Sequence, residues 1–265
     1  MTALKTETSD HVAIVTMSNP PANLFDRELM TGLLEAVRGA EAGRVRAMVL
    51  RSDGAVFSGG ADVAMFRGTS PAEARAMFVE GFQLIDAIEQ ASFPVIAAVH
   101  GLCLAAGLEV ALACDLIIAA EGTQFAQVEA KIGAATFLGG AYRIAQRAGT
   151  ARAFEITFGG DYFDAATFER WNIINRVVPA DQLDAKAVQW ARKLATGPTA
   201  AHAVTKKLVH HATDKGVRDT DRYLLDAATP LFATNDMQHA VDLLLTHGAR
   251  KFMTDHGQLI AFEGR

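Results

Sequence analysis

Residues 93–115, FPVIAAVHGLCLAAGLEVALACD, constrain this chain more than any other stretch. Val95–Val99 reads as a short strand of wholly apolar residues that runs into a turn at His100 and Gly101. A helical run begins near Ala105, and set into it is one carboxylate, Glu109, among Leu104, Ala106, Leu108, Val110 and Leu112. An ionised carboxylate is costly to bury in such surroundings unless a partner, a hydrogen bond or a raised pKa compensates. What Glu109 faces is therefore the first question the chain poses.

Strands and helices alternate on both sides of this stretch. Val12–Met17 is a β-branched-rich strand ending at Ser18, Asn19, Pro20 and Pro21. Asp26 caps a helix whose apolar Leu29, Leu33, Leu34 and Val37 recur at helical spacing. Residues 47–50 form a second strand. Pro71–Gln90 reads as a long helix with Ala74, Met77, Phe78, Phe82, Ile85 and Ile88 on its buried face, and 116–119 is a further strand. This order favours an α/β core with partly parallel strands. Helices are expected at 141–148 and 161–170, and a strand at 173–178 is closed by Pro179. From Asp181 onward the pattern is helical only. Leu183, Ala187, Trp190 and Leu194 form one stripe, and Gly197 and Pro198 break it before helices near 200–211, 219–229 and 236–245. The reading is an α/β body over residues 1–195 and a helical part over 196–265.

Several function classes drop out on composition. The 265 residues carry a formal charge of −5 and no basic stripe, which gives nucleic-acid binding no support. The basic pairs Lys206, Lys207 and Arg250, Lys251 read as solvated faces. Cys103 and Cys114, both in apolar surroundings, suit reduced core thiols. The start, MTALKTETSD, is polar, and no apolar run reaches the roughly 18–20 residues that span a bilayer. The expectation is a soluble, cytoplasmic protein.

Dinucleotide, P-loop, serine-hydrolase and zincin motifs are absent. His202, His210 and His211 lack a carboxylate or cysteine at ligand spacing, so no metal is expected. His100 and Cys103 read as a loop histidine and a buried thiol rather than a nucleophile pair. The loop 58–62 is a plain turn with Asp62 as a cap, or it brings the Ala61 N–H to a ligand. Free N–H groups near Ala106, at a helix start, offer a second donor, and two such donors on one oxygen make an oxyanion hole. Glu129, 20 positions after Glu109, is either a catalytic partner or an exposed strand-end residue beside Lys131.

Three segments then resemble those of the crotonase superfamily, the enoyl-CoA hydratase/isomerase family. FSGGADVAMF (57–66) resembles its F-x-x-G-A-D segment, and AVHGLCLAAGLEVALACDLIIAA (98–120) its A-x-x-G-x-x-x-G-G-G-x-E-L-A-x-x-C-D segment. FAQVEAKIG (125–133) resembles F-x-x-P-E-x-x-x-G, and NRVVP (175–179) and the closing FEGR (262–265) also fit. The resemblance implies an α/β, crotonase-like spiral of ββα units with a helical C-terminal part that builds trimers, often paired into hexamers. It implies an acyl-CoA thioester substrate, no metal, and no cofactor beyond the CoA of the substrate. Ala61 and Ala106 match the oxyanion-hole positions, and Glu109 and Glu129 match the two hydratase glutamates. Ala22, Gly59, Asp62 and Val63 match positions that contact CoA, largely through backbone. Retention of both glutamates implies syn hydration of a trans-2-enoyl-CoA, with Δ3-Δ2-enoyl-CoA isomerisation, or acyl-CoA binding without turnover, as the alternatives.

The chain departs from the family pattern at four places. The triple glycine is Ala105, Ala106, Gly107; the proline before the second glutamate is Val128; Phe137 replaces a glycine; and Glu263 stands where many relatives have a lysine. A bulky Phe137 beside the catalytic water would reshape the acyl pocket, which argues against an ordinary short straight-chain substrate.

Overall fold

The computed structural model describes residues 3–264; Met1 and Thr2 of the polar start and Arg265 of the closing motif lie outside the described residues. The strands are β1 (Leu4–Ser9), β2 (Val12–Met17), β3 (Ala47–Ser52), β4 (Val95–Val99), β5 (Leu102–Leu104), β6 (Leu116–Ala120), β7 (Gln124–Ala126), β8 (Phe163–Asp164) and β9 (Arg176–Val178). The helices are α1 (Arg27–Ala42), α2 (Pro71–Gln90), α3 (Ala106–Ala113), α4 (Gly140–Ala148), α5 (Thr150–Gly159) and α6 (Ala165–Arg170), then α7 (Leu183–Ala195), α8 (Thr199–Lys215), α9 (Val217–Ala228), α10 (Asn235–Thr254) and α11 (His256–Leu259).

Six strands form one sheet in the order β1-β2-β3-β4-β6-β9, parallel throughout except for the β1–β2 pair. Its central strands are apolar on both faces because both faces are covered. Val15, Leu50, Val95, Ala97 and Ile117 face a core shared with α1, α2 and α3. Their alternates Val12, Val49, Ile96, Ala98 and Ile118 face Leu183, Ala187 and Ala191 of α7. Each fully buried Val, Leu or Ile contributes roughly 1.5–3 kcal/mol, so this period-2 division fixes register and layer order together.

A small second sheet, β5-β7-β8, stands beside the first, and Ser58 bridges Cys103 in parallel at its edge. The chain thus places one strand in the large sheet, one in the small sheet, then a helix: β4, β5, α3, and again β6, β7, α4. This is the expected spiral of ββα turns.

Several features differ from the sequence reading. The polar segment LKTETS is an exposed edge strand, β1, whose side chains give no period-2 signal. Helix α5 was not anticipated, since Phe154 and Phe158 are exposed on it and blur any one-sided stripe. Residues 161–164 are not helical: β8 pairs antiparallel with β7, and Asp164 caps α6 by accepting the Thr167 N–H at 2.8 Å. Lys206 is no solvated face. Its Nζ lies 2.8 Å from Asp115 Oδ2, just before β6, and also donates to the Ile88 carbonyl of α2, tying α8 to both elements. Asp115 in turn accepts the Val95 N–H at 2.7 Å.

Arg46 anchors the C-terminal part, donating to Thr199 Oγ1, Gly197 O and Phe262 O at 2.7, 2.6 and 2.9 Å. Asp236 accepts the Glu263 and Gly264 N–H groups at 2.6 and 2.8 Å, so the closing segment folds back on α10. No helix among the described residues is long and apolar enough to cross a membrane.

Candidate active site

The site is assembled by the loop after β3. The Phe57 N–H donates to His100 O, the Ser58 N–H to Leu102 O and the Leu104 N–H to Ser58 O, all within 3.0 Å, which lays the loop along β5. Gly107 permits this approach: a Cβ there would stand 2.5 Å from Ser58 Cβ. The Ser58 hydroxyl, fully buried, donates to Asn23 O at 2.7 Å and accepts the Gly60 N–H at 3.0 Å. Ala61 is thereby carried to the start of α3.

Ala61 bridges Phe25 in parallel, with the Phe25 N–H donating to Gly60 O and the Asp62 N–H to Phe25 O. This pairing uses the groups flanking Ala61 and turns its own N–H the other way. Ala106 is the first residue of α3, so its N–H has no intrahelical acceptor. Both residues line one cavity, which they share with Glu109 and Glu129. Ala105, just before Ala106, has φ 45° and ψ −121°, a conformation suited to glycine. It is held by its N–H to Ala126 O and by its carbonyl, which accepts the Glu109 N–H, both at 2.9 Å.

Glu109 is 1% exposed on a helix buried all round. Its Oε1 accepts the N–H groups of Leu138 and Gly140, each at 2.8 Å. The turn that presents both to one oxygen needs the left-handed Gly139, at φ 92°. Arg143, itself buried, grips the same turn through Leu138 O at 3.0 Å and pairs with Glu89 at 2.7 Å. Burial pushes the Glu109 carboxyl above its ordinary range, while the Gly140 and Leu138 N–H groups pull it back.

Glu129 opens a short 3₁₀ turn after β7 and is 7% exposed, which removes the alternative of an exposed strand end. Lys131 turns instead towards Asp161, at 3.7 Å. Burial, reinforced by the charge of Glu109, pushes the Glu129 carboxyl up to about 7. With its amide oriented to satisfy the hydrogen bonding, buried Gln127 donates to both Glu129 oxygens, at 2.8 and 2.9 Å. Sequence reasoning did not single out Gln127, Ser58 or Arg143. The one available signal was a polar residue two positions before Glu129 in an otherwise apolar stretch.

Phe137, Gly59 and Val63 also line the cavity, with Val63 60% exposed. Ala22 and Asp62 are not in its wall. Ala22 supports it by accepting the Gly59 N–H at 2.8 Å, and Asp62 caps the turn Val63–Phe66 through the Ala64 N–H at 3.0 Å. His100 is bound to Gly54 O at 3.0 Å, and burial pushes the Cys103 thiol well up, so that pair has no nucleophile. Among the described residues no group of three or more His, Cys, Asp or Glu side chains is placed to hold a metal ion.

Two raised carboxyls facing an apolar cavity with two free backbone donors can move protons at a substrate whose oxygen gains negative charge. The profile of the family described as Enoyl-CoA hydratase/isomerase matches residues 7–249. A probable enoyl-CoA hydratase of Rhizobium meliloti (strain 1021) is 32% identical over 241 residues, covering 90% of this chain and 93% of its own. The probable enoyl-CoA hydratase echA8 of Mycobacterium bovis is 28% identical, over 93% of this chain and 96% of its own. Among solved structures, an enoyl-CoA hydratase subunit I from Geobacillus kaustophilus HTA426 superposes with a TM-score of 0.90 at 27% identity, over 99% and 98% of the two chains. DspI of Pseudomonas aeruginosa superposes at 0.89 with 28% identity, over 93% and 95%.

Proposed function

Because the chain belongs to the enoyl-CoA hydratase/isomerase family, we propose that it is an enoyl-CoA hydratase, adding water syn across the double bond of a trans-2-enoyl-CoA. The observation that carries this reading is one cavity lined by two buried carboxyls with raised pKa and by Ala61 and Ala106.

The thioester oxygen accepts the Ala61 and Ala106 N–H groups, fixed dipoles that stabilise the enolate more than the ground state. One water sits between the carboxyls. Glu109, whose Oε1 is held by two N–H donors, takes the water proton as the water oxygen bonds to Cβ. The double-bond electrons move to the thioester oxygen. As that enolate collapses, Glu129, protonated in about half of molecules near pH 7, gives its proton to Cα. Glu109 is left protonated and Glu129 ionised, and the next water relays the proton back. Ala22, Gly59, Asp62 and Val63 contact the CoA portion through backbone, and no separate cofactor is needed. The same reading takes the chain as a cytoplasmic homotrimer or hexamer. Exposed Leu225, Phe232 and Leu245 on the C-terminal helices suit such an assembly, and the mass in solution tests it.

Loss of enoyl-thioester absorbance on crotonyl-CoA and longer or branched enoyl-CoAs tests the activity. Glu109→Gln and Glu129→Gln should each lower kcat by about 10²–10⁴-fold, and unchanged turnover in both would sink the two-carboxylate mechanism. The pKa of Glu129 alone would equally serve a one-carboxylate Δ3-Δ2 isomerase. That reading gains if Glu129→Gln abolishes isomerisation while Glu109→Gln spares it. Tight CoA-ester binding without turnover on the whole panel would make the chain an acyl-CoA-binding protein.

A further inference from the structure

Phe137 follows Thr136 in the turn that holds Glu109, and its ring lies in the cavity wall. The ring stacks on Phe78 of α2, with centroids 4.7 Å apart and planes at 23°, and meets Phe66 edge-on at 5.6 Å and 79°. Leu138, the next residue, seats on Gly81, where a Cβ would stand 2.6 Å from Leu138 Cδ2. Two successive residues are therefore clamped to α2, and the Phe137 ring cannot swing aside without breaking both aromatic contacts. Because the Leu138 N–H binds Glu109, this wall lies on the carboxylate side, where acyl carbons beyond the double bond must run.

The space left is small and apolar. The cavity holds about 130 Å³, and among the described residues Glu109 and Glu129 are the only polar side chains in its lining. The cavity opens to solvent where Val63 and Ile132 are 60% and 63% exposed. Set beside the roughly 150 Å³ that accommodates one benzene, the enclosed room against the Phe137 wall is on the order of six carbons. From sequence alone, a bulky Phe137 argues against a short straight-chain acyl group; the size of the cavity argues the reverse. Resting on the acyl-CoA reading above, we infer that Phe137, clamped between Phe66 and Phe78, sets the acyl-chain limit of the site, admitting short, wholly apolar acyl groups of roughly six carbons or fewer and excluding longer or polar-tailed ones.

Calorimetric binding of non-reacting saturated acyl-CoAs separates this limit from the catalytic reading. Butanoyl-, hexanoyl-, octanoyl- and dodecanoyl-CoA are titrated into the full-length wild type, Phe137→Ala and Phe78→Ala, the second variant opening the same wall should the first fold poorly. In the wild type, affinity should rise about fourfold per methylene while apolar wall remains, then stop rising or fall beyond hexanoyl. Either variant should move that break to longer chains and raise the dodecanoyl-to-butanoyl affinity ratio by at least about tenfold, the value of roughly two further buried methylenes. Wild-type affinity rising without a break to dodecanoyl, or a break that neither variant moves, overturns the limit while leaving the acyl-CoA reading intact. Failure of every acyl-CoA to bind the wild type overturns both.

Discussion

The Gln127 amide donates to both carboxylate oxygens of Glu129, at 2.8 and 2.9 Å, from a fully buried position at the exit of β7. Two N–H donors favour the ionised form of a group that burial and Glu109 push the other way. Gln127→Leu removes that opposition without adding bulk. The pH–rate limb belonging to Glu129 should move up by about one unit or more, because hydrogen bonds to a charged group contribute about 1.5–3 kcal/mol. The acid form that donates to Cα is then more populated, so turnover should persist to higher pH than in the wild type, with Gln127→Asn falling between the two. A pH profile in which the limb stays in place would show that the amide does not tune Glu129.

Glu129 also makes stability depend on pH. Its folded pKa of about 7 lies above the unfolded value near 4.5, so between those values the folded state binds more protons than the unfolded chain. The associated stability is present in full below the unfolded pKa and is lost as pH rises through 7. The loss is on the order of 3 kcal/mol. Glu129→Gln carries no such loss, so its Tm should exceed that of the wild type at pH 8 by several degrees, with the gap closing towards pH 5. Thermal melts across that range measure it, and a gap independent of pH would contradict the assignment.

The parts of this molecule legible in sequence are those where one physical demand acts alone. Val95–Val99 must be apolar because α2 and α3 cover one face and α7 the other, so its period and length identify it without help. Glu109 stood out because every neighbour on its helix is apolar. Gln127 did not, because an amide at a strand end looks the same whether it faces water or a buried carboxylate. Phe137 was visible as a bulky residue, but its meaning depends on Phe66 and Phe78, about 70 and 60 positions earlier, and only the spiral brings those rings together. Lys206 read as surface for the same reason: its partner Asp115 lies 91 positions away.

Ala105 carries a strain that a single substitution should relieve. Its φ of 45° and ψ of −121° fall where side-chain-bearing residues cost about 1–3 kcal/mol, and where glycine does not. Its Cβ faces Gly60, where an added Cβ would stand 3.0 Å from it. Ala105→Gly adds unfolded-state entropy of about 0.5–1 kcal/mol, less than the strain removed. A net gain of about 1 kcal/mol is expected in denaturant unfolding. Loss of stability instead would mean that the backbone at 105 is not strained.

The Lys206–Asp115 pair should behave as a buried tie between α8 and the sheet. The Lys206 side chain is almost wholly enclosed, and its Nζ also reaches the Ile88 and Phe93 carbonyls. Lys206→Met keeps the apolar stem but leaves Asp115 without its cation and two carbonyls without their donor. Breaking a buried pair from one side costs about 3–5 kcal/mol. Asp115 still accepts the Val95 N–H, so Asp115→Asn combined with Lys206→Met should recover part of that loss by removing the orphaned charge. Denaturant unfolding of the two single variants and the double gives the coupling directly. Additive losses would place the pair among surface contacts that contribute little, whereas a double variant more stable than Lys206→Met alone identifies the uncompensated Asp115 charge as the source of the cost.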